Sequence, residues 1–548
     1  MLVCASLLAA CGDGGEPPPP SQTTLAIYVT DGPGGAYLPA KVVLVAEDGK
    51  PLHIGSLDMY SGTLQDRGYC EMAHGVVGTY DGLMLVDGTG EIPVGRDDCS
   101  PSPAVPFGRY RLQVLRGIEY EIFEMPIELS PSLGQIVVVV PLERAWAPPE
   151  DVVAADLHVH AETSYDSTMP PWVRVGSELV TGIQVIGATD HNQNNDFDVV
   201  IDDMGLRGQI ASVPGNEISV DLMHANIFPA LVEPGKPRNG AASFDELAGL
   251  SAATLFQNLH ALPGSPLVQM NHPRLRFAAY FDAVGWNGES WPPPMPYDFD
   301  ILEVLNGASA LNIEDDRRIE RSLADLYTFL EHGKLLAATG NSDTHHLNSI
   351  LAGVPRNYVY LRDGRFDPFD VGGFVDALRA RRILATTGPW LEVHAGGADA
   401  GTGEMVVPED GEVQLQISLR QARFVKTTRL RVLVGKQVRV EIPVPPGRAF
   451  TWVGNIAIDE HGPDTFIAVD AIGDEPLPVS LTGDFIQRSV STGVPPVAFI
   501  NPILVDVDGN GRWDVAQSPA AVPDLLPPPR GNRHKPLDCM PPAPPPEP

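Results

Sequence analysis

The chain has 548 residues, of which 43% are hydrophobic and 20% are charged, and this balance excludes a protein that is disordered throughout. Seventy Asp and Glu residues against 37 Lys and Arg residues give a net charge of -33, which disfavours nucleic acid and anionic membrane surfaces as partners. A chain of this length is also too long for one ordinary core, so we expect several domains.

Residues 1–22 predict a lipoprotein signal followed by a tether. A short apolar run ends in LAAC, which resembles a bacterial lipoprotein signal with Cys11 as the lipidated residue, and the proline run that follows favours an extended chain. A buried N-terminal strand is the alternative interpretation. No later run has the roughly 18 consecutive apolar residues that a membrane-spanning helix needs.

These features predict an exported protein. We expect a bacterial cell-envelope lipoprotein, either periplasmic or anchored in the outer membrane, or a secreted protein. The membrane contact is then through the lipid alone, and the oligomeric state stays open.

Residues 23–150 predict a β-sandwich domain. The strand-like runs LAIYVT, KVVLVA, YRLQVL and QIVVVV are separated by Gly, Pro and Asp turns, without a convincing helical stretch. Cys70 and Cys99 are the two cysteines that fall neither in the leader nor in the tail. In an exported protein they form a disulfide, with two free thiols as the alternative.

Over residues 151–395 the sequence pattern changes to apolar runs that alternate with helix-like segments. This alternation is typical of an α/β domain with buried, mostly parallel strands. Strand-like runs return over 396–516 and predict a second β-domain. Its last part, DVDGNGRWD, resembles half of a calcium loop but lacks the final acidic ligand, which favours a simple turn. Residues 517–548 are proline-rich and predicted to be disordered.

Potential metal ligands end several apolar runs of segment 151–395. In DLHVH, His158 and His160 are two residues apart, so on a strand both imidazoles point the same way and can hold one ion. Similar residues end four later runs, namely Asp190 and His191 in ATDHN, Glu217 in GNEIS, His272 in NHP, and Asp343 and His345 in NSDTH.

One such residue at a strand end is more often structural than functional, but the joint pattern is not. The carboxyl ends of strands in a β/α barrel meet on one face, so the five runs predict one shared pocket. Nitrogen and oxygen ligands without cysteine favour Zn, Mn or Fe. A divalent ion held by such ligands lowers the pKa of bound water, which predicts hydrolysis.

The motifs DLHVH, ATDHN, GNEIS, NHP and NSDTH, in this order, resemble those of the PHP (polymerase and histidinol phosphatase) metallohydrolases. HAN at 224–226 and TTGP at 386–389 resemble the carbaryl-hydrolase-like CehA/McbA branch. The resemblance covers about residues 151–394, which is under half of the chain. It implies an α/β fold: a distorted (β/α)7 PHP-type barrel with two to three divalent metal ions, flanked by N- and C-terminal β-sandwich-like domains.

The resemblance also implies a distribution of ligands among the ions. The first ion takes His158, His160, Asp343 and Glu217. Glu217 bridges to a second ion held by His272, while His224 either binds this ion or only supports the site. The residues implied around a third ion are Asp166, His191 and His345.

The predicted function is therefore a metal-dependent hydrolase for a small-molecule phosphoester, or for a carbamate or related ester, with no nucleic-acid partner. Arg274, just after His272, either neutralises a substrate phosphate or carboxylate or forms a surface ion pair. The alternative function is a non-enzymatic surface binding lipoprotein in which a metal-stabilised barrel serves as scaffold.

Overall fold

The structure is a computed structural model, and it describes residues 23–49, 52, 69–71, 76–79, 82–94, 105–131, 133–274, 278–288, 296–307, 318–345, 352–361, 364–397, 400–482 and 493–515. Cys11 and Cys99 lie outside these residues, so lipidation and the disulfide stay predictions. Across the described ranges, no helix has the length and apolar character needed to cross a membrane.

The N-terminal strands are β1 Thr23–Asp31, β2 Ala40–Ala46, β3 Tyr69–Glu71, β4 Val76–Thr79, β5 Gly82–Leu85, β6 Thr89–Val94, β7 Gly108–Leu115, β8 Phe123–Leu129 and β9 Gln135–Leu142. They form two sheets, ordered β6-β1-β9 and β3-β4-β5-β2-β7-β8. Leu25, Val42, Leu112 and Val140 belong to one core shared by these sheets. Burial alternates along β8, as expected for a sheet with one solvated face.

The central segment mixes buried strands with short helices. Its strands are β10 Val152–Val159, β11 Val185–Ala188, β12 Ala211–Pro214, β13 Asn216–Val220, β14 Met223–Phe228, β15 Leu267–Met270, β16 Ile301–Asn306, β17 Ala337–Asn341, β18 Arg356–Tyr360 and β19 Ile383–Thr386. Its α-helices are α1 Pro171–Val180, α2 Asp198–Asp203, α3 Phe244–Leu247, α4 Ala252–His260, α5 Tyr280–Ala283, α6 Arg318–Glu331 and α7 Val371–Arg379, and a 3-10 turn spans Pro237–Gly240.

Local sequence explains where these helices begin. Ser251 caps α4, because its hydroxyl accepts a hydrogen bond from the Thr254 backbone N–H. Leu255, Phe256 and Leu259 then recur at helical spacing and form the buried face of α4. The helix thereby covers the sheet that contains β15.

The C-terminal elements are β20 Trp390–Ala395, β21 Met405–Val406, β22 Glu412–Arg420, β23 Arg429–Val434, β24 Gln437–Pro443, β25 Ala449–Ala457, β26 Thr465–Ile472, α8 Val479–Thr482, β27 Val497–Ile500 and β28 Ile503–Val505. Strands β20, β22 and β25 form a separate sheet. The remaining strands of this part join a large sheet that begins in the central segment, because β27 pairs antiparallel with β19.

Two sheets carry the central strands. The large sheet has 11 strands and runs β12-β11-β10-β18-β19-β27-β26-β23-β24, with β28 paired to β26 and β21 paired to β28. The smaller sheet has five strands in the order β13-β14-β15-β16-β17. Apolar residues such as Ile186 and Leu384 belong to a core of the large sheet, and Val268 and Leu302 to a core of the smaller one.

The predicted fold class, a (β/α)7 barrel flanked by β-sandwich-like domains, is wrong. Antiparallel pairs join β10 to β18, β13 to β14, and β14 to β15, whereas a β/α barrel has one closed parallel sheet. Only residues 221–222 separate β13 from β14, so they form a hairpin with no helix between them. Short buried apolar runs look alike in parallel and antiparallel sheets, which is why periodicity did not distinguish the two.

The two central sheets meet at two isolated bridges. Val159 pairs with Thr344, and His191 pairs with Glu217, each in parallel orientation. The first bridge connects the end of β10, in the large sheet, to the segment after β17, in the smaller sheet. The second connects the segment after β11, in the large sheet, to β13, in the smaller sheet. The predicted metal ligands lie along this junction.

Candidate metal centre

The paired histidines of β10 are fully buried at the centre of the junction. His158 lies within β10 and His160 just after it, and both side chains have no exposed surface. His158 Nε2 lies 3.2 Å from an oxygen of Glu217 and 3.2 Å from an oxygen of Asp343. His160 Nε2 lies 3.1 Å from the same Asp343 oxygen. Residues on or just after three different strands thus converge on one point.

Glu217 occupies the middle of the cluster. Its Oε1 lies 3.2 Å from His224 Nδ1 and 3.5 Å from His272 Nε2, and its Oε2 lies 2.7 Å from His191 Nδ1. His224 reaches this position because it stands on β14 opposite Ser219 in the β13–β14 hairpin. One carboxylate therefore faces several separate imidazoles, as a bridging ligand would.

A third group of ligands lies toward the solvent. Asp166 Oδ2 is 3.1 Å from His191 Nε2 and 3.3 Å from His345 Nε2. The His160 and His345 rings stack with centroids 3.9 Å apart. The Asp166 side chain is 35% exposed, so this end of the cluster is the one that solvent reaches.

Four overlapping groups have ligand atoms within 4.8 Å of one another and can hold a metal ion. The structure brings together all nine residues that the resemblance implied as metal ligands, whereas Asp190, which also ends an apolar run, belongs to none of these groups. The groups are His160 with Asp166, His191 and His345; His158 with His272 and Asp343; His158 with His160 and Glu217; and His191 with Glu217 and His224.

Buried atoms without hydrogen bonds indicate that the cluster fits cations. Among the described residues, His158 Nε2 and Glu217 Oε2 are buried and have no hydrogen-bond partner, although other ligand atoms lie close to each. Such groups are costly unless another species satisfies them. The donor set, imidazole nitrogen with carboxylate oxygen, suits Zn, Mn or Fe.

The electrostatics of the cluster keep its carboxylates anionic. Burial raises the pKa of Glu217, but the adjacent His191 and His158 outweigh it, and the resulting pKa is well below the usual value. Burial likewise lowers the pKa of His191, yet Glu217 and Asp166 beside it raise the pKa to about 10. Burial together with nearby His345 lowers the pKa of His160 to about 3. The Glu217 carboxylate therefore stays negatively charged, as a ligand to a cation must be.

Buried residues that sequence reasoning missed hold these ligands in place. Arg174 on α1 donates hydrogen bonds to the backbone carbonyls of His160 and Thr344, so it ties two ligand-bearing segments together. Glu303 accepts a hydrogen bond of 2.9 Å from His158 Nδ1. The signal for Glu303 was present in the sequence, since it is an acidic residue inside the apolar run ILEVL.

Asp190 supports the centre from beside it. Its Oδ1 accepts hydrogen bonds from the Ala161 backbone N–H at 2.6 Å and from the Ser164 hydroxyl at 3.1 Å. The Thr163 hydroxyl and the Asn195 amide donate to the other oxygen. Asp190 therefore fixes the loop that follows His160.

Arg274 lies in a buried ion pair. Its guanidinium donates to both oxygens of Asp325 at 2.7 and 2.8 Å, to Asp282 at 2.9 Å, and to the Trp286 carbonyl at 2.6 Å. Only 7% of its surface is exposed. Its donor groups are thus occupied within the fold.

Tyr165 stands at the open side of the cluster. Its ring stacks on His191 with centroids 4.7 Å apart, and 71% of the residue is exposed. An exposed aromatic ring beside His191, a predicted metal-binding residue, is in a position to contact a substrate. Sequence reasoning missed this residue, because its type and spacing carry no metal-binding signal.

The acidic turn near the C-terminal end is a separate feature. Asp506 accepts hydrogen bonds from the backbone N–H groups of Asn510 and Gly511. Its carboxylate also lies within 4.8 Å of those of Asp464 and Asp508. These hydrogen bonds describe a turn.

Comparisons with known proteins give little further information. No protein family matches the chain, and no curated protein matches it. One solved structure that matches is a crystal structure of an Endonuclease Q complex with a 27-mer duplex substrate that has an abasic lesion at the active site. The TM-score is 0.27 at 14% identity, and the match covers 39% of this chain and 55% of that chain. The likeness is distant and assigns neither a fold nor a substrate.

The predicted exclusion of a nucleic-acid partner is wrong. The protein in that match is an endonuclease in complex with a duplex substrate, which is a property of that protein. The physical error was to use the net charge of -33 as a criterion. Net charge averages over the whole surface, whereas the field at one site depends on the groups and ions located there.

Proposed function

We propose that this protein is a metal-dependent hydrolase that acts on a phosphoester, or on a carbamate or related ester. The observation that carries the proposal is the position of Glu217. Its carboxylate faces His158, His191 and His224, and one of its oxygens is buried without a hydrogen bond. The order of the ligand motifs further supports a distant relation to the PHP metallohydrolases.

These ligand groups would hold two to three divalent ions, and Glu217 belongs to two of the groups. Divalent ions at such sites lower the pKa of bound water and polarise a carbonyl or phosphoryl oxygen. The surrounding residues hold the geometry. Arg174 fixes the backbone after His160 and around Thr344, and Asp190 fixes the Ala161–Ser164 turn.

The exposed side of the cluster gives the substrate its approach. Asp166, His224 and His345 are partly exposed, whereas His158 and His160 are fully buried. A substrate therefore reaches the cluster beside Tyr165 and Asp166. We assign no separate protein base, since a bound divalent ion would supply the activated water.

The test compares the wild type with Glu217→Gln, which preserves side-chain volume but removes the charge. We expect bound metal and hydrolysis to fall together, by more than the about 10- to 100-fold that changes to ligand-supporting residues typically cost. His260→Gln is the control, because His260 lies at the end of α4 and bonds the Asp298 carbonyl, apart from the ligand groups. Elemental analysis, circular dichroism and hydrolysis of phosphomonoester, phosphodiester, carboxyl-ester and carbamate substrates are the measurements.

Two results would contradict the proposal. Full metal content and full activity in the Glu217→Gln variant would remove Glu217 from the centre. A wild type that binds Zn or Mn tightly but hydrolyses none of the four substrate classes would favour the binding-lipoprotein alternative.

A further inference from the structure

Glu303 lies in the middle of β16 and is 1% exposed. Burying a carboxylate is costly unless it is fully hydrogen-bonded, so its partners explain why an acidic residue stands in this strand. Four donors surround it. The His158 ring Nδ1 and the Asn341 amide lie 2.9 and 2.8 Å from Oε1, and the His272 backbone N–H and the Asn306 amide donate to Oε2 at 2.8 and 2.9 Å.

The contact with His158 determines which ring nitrogen faces the cluster. Both Glu303 oxygens act as acceptors, so Nδ1 of His158 is the protonated nitrogen. Nε2 lies 3.2 Å from both Glu217 and Asp343 without a hydrogen bond of its own, so it is the nitrogen that would give its lone pair to an ion. The hydrogen bond from Nδ1 to Glu303 therefore favours the tautomer of His158 that can bind an ion through Nε2.

The contact with His272 acts on the backbone. His272 has a φ of 26°, a left-handed conformation that is unfavourable for a residue with a side chain. The hydrogen bond from its N–H to Glu303 helps to hold this conformation. The same conformation places the imidazole of His272 beside Glu217.

A further hydrogen bond connects Glu303 to Asp343. Asn306 donates to Glu303 at 2.9 Å and to Asp343 Oδ2 at 3.1 Å, so its amide spans the two carboxylates. Asp343 also has a left-handed backbone, with a φ of 56°. One buried carboxylate thus contacts, directly or through one amide, ligands carried by three different strands or their ends.

We infer that Glu303 is a positioning residue of the metal centre, which sets the tautomer of His158 and the backbone conformation of His272 for metal binding. Its effect on hydrolysis rests on the proposed function. Its effect on metal binding does not, so the two can fail separately.

The test is Glu303→Gln, which keeps volume but replaces one acceptor oxygen with an NH2 group. Whichever way the amide turns, either the His158 ring or the His272 N–H loses its acceptor. We expect Zn²⁺ affinity, measured by calorimetric titration, to fall about 10- to 100-fold. The visible absorption spectrum of the Co²⁺-loaded protein should also change, because the ligand geometry at the ion changes.

Glu121→Gln is the matched control. Glu121 is also a buried glutamate, 8% exposed, and both of its oxygens accept from the Arg423 backbone N–H. This change should leave the Zn²⁺ affinity and the Co²⁺ spectrum as in the wild type. If Glu303→Gln lowers stability alone, with wild-type affinity and spectrum, the inference is wrong and Glu303 has only a structural role.

A measurement on the wild type covers the case in which the variant does not fold. Nitrogen-15 NMR of the histidine rings should show His158 protonated at Nδ1, in both the metal-free and the Zn²⁺-loaded protein. A proton on Nε2 instead would overturn the inference. A wild type that binds Zn²⁺ with the expected tautomer but hydrolyses no ester would refute the proposed function and leave the positioning role intact.

Discussion

The role of Arg274 is where the structure differs most from one interpretation of the sequence. The sequence allowed Arg274 to bind a substrate phosphate or carboxylate. In the structure it forms a two-pronged ion pair with Asp325, whose side chain has no exposed surface. We therefore expect Arg274→Met to damage stability rather than substrate binding.

The magnitude follows from the buried partner. Removing one member of a buried ion pair leaves an uncompensated charge, which costs about 3–5 kcal/mol. The contact with Asp282 adds little, since that side chain is 42% exposed and surface pairs are weak. The double variant Arg274→Met, Asp325→Ala removes both charges and should be less destabilised than the single variant.

The assay is urea unfolding of the Zn²⁺-loaded proteins, followed by circular dichroism and extrapolated to zero denaturant. KM for the best hydrolysed ester is measured on the folded fraction of each protein. We expect lower stability for Arg274→Met with an unchanged KM. A loss of under about 1 kcal/mol combined with a tenfold higher KM would refute this reasoning, because it would mean that the side chain contacts substrate.

Three further predictions follow from particular contacts. Asn501→Ala should lower the thermal unfolding midpoint measured by calorimetry, because the buried Asn501 amide bridges the backbones of Ala338 and Ile383. Each backbone polar group left unsatisfied costs about 1–3 kcal/mol. An unchanged midpoint would contradict this prediction. Tyr165→Ala should change the free energy of unfolding by less than about 0.5 kcal/mol but raise KM, because the exposed ring stands where substrate enters. An unchanged KM would count against a contact between Tyr165 and substrate. Chelation with EDTA should lower the thermal midpoint, since Zn²⁺ at 100 times its Kd adds about 2.7 kcal/mol to folding; equal midpoints with and without EDTA would argue against a metal centre.

The local placement of the ligands could be predicted from the sequence. His158 lies on β10 and His160 follows the last residue of that strand, and the two-residue strand period explains why both rings lie on one side. Asp343 and His345 directly follow β17, as the apolar run before them indicated. These are short-range properties that depend on backbone period and on where an apolar run ends.

The arrangement of the strands could not be predicted in the same way. The sequence around Glu217 and His224 was interpreted as part of a barrel, but it forms an antiparallel hairpin. A buried run such as VIGA or LVQM has the same composition in either sheet type. Which strands pair, and in which direction, depends on contacts between distant segments, and no local pattern encodes them.

Only the tertiary structure determined the partners of the buried charged residues. Glu303 meets His158 across 145 positions of sequence, and Arg274 meets Asp325 across 51. A charged residue is recognisable as unusual inside an apolar run, but its partner is not. Burial penalises the charge wherever it occurs, whereas the group that compensates it is fixed only when the two sheets come together.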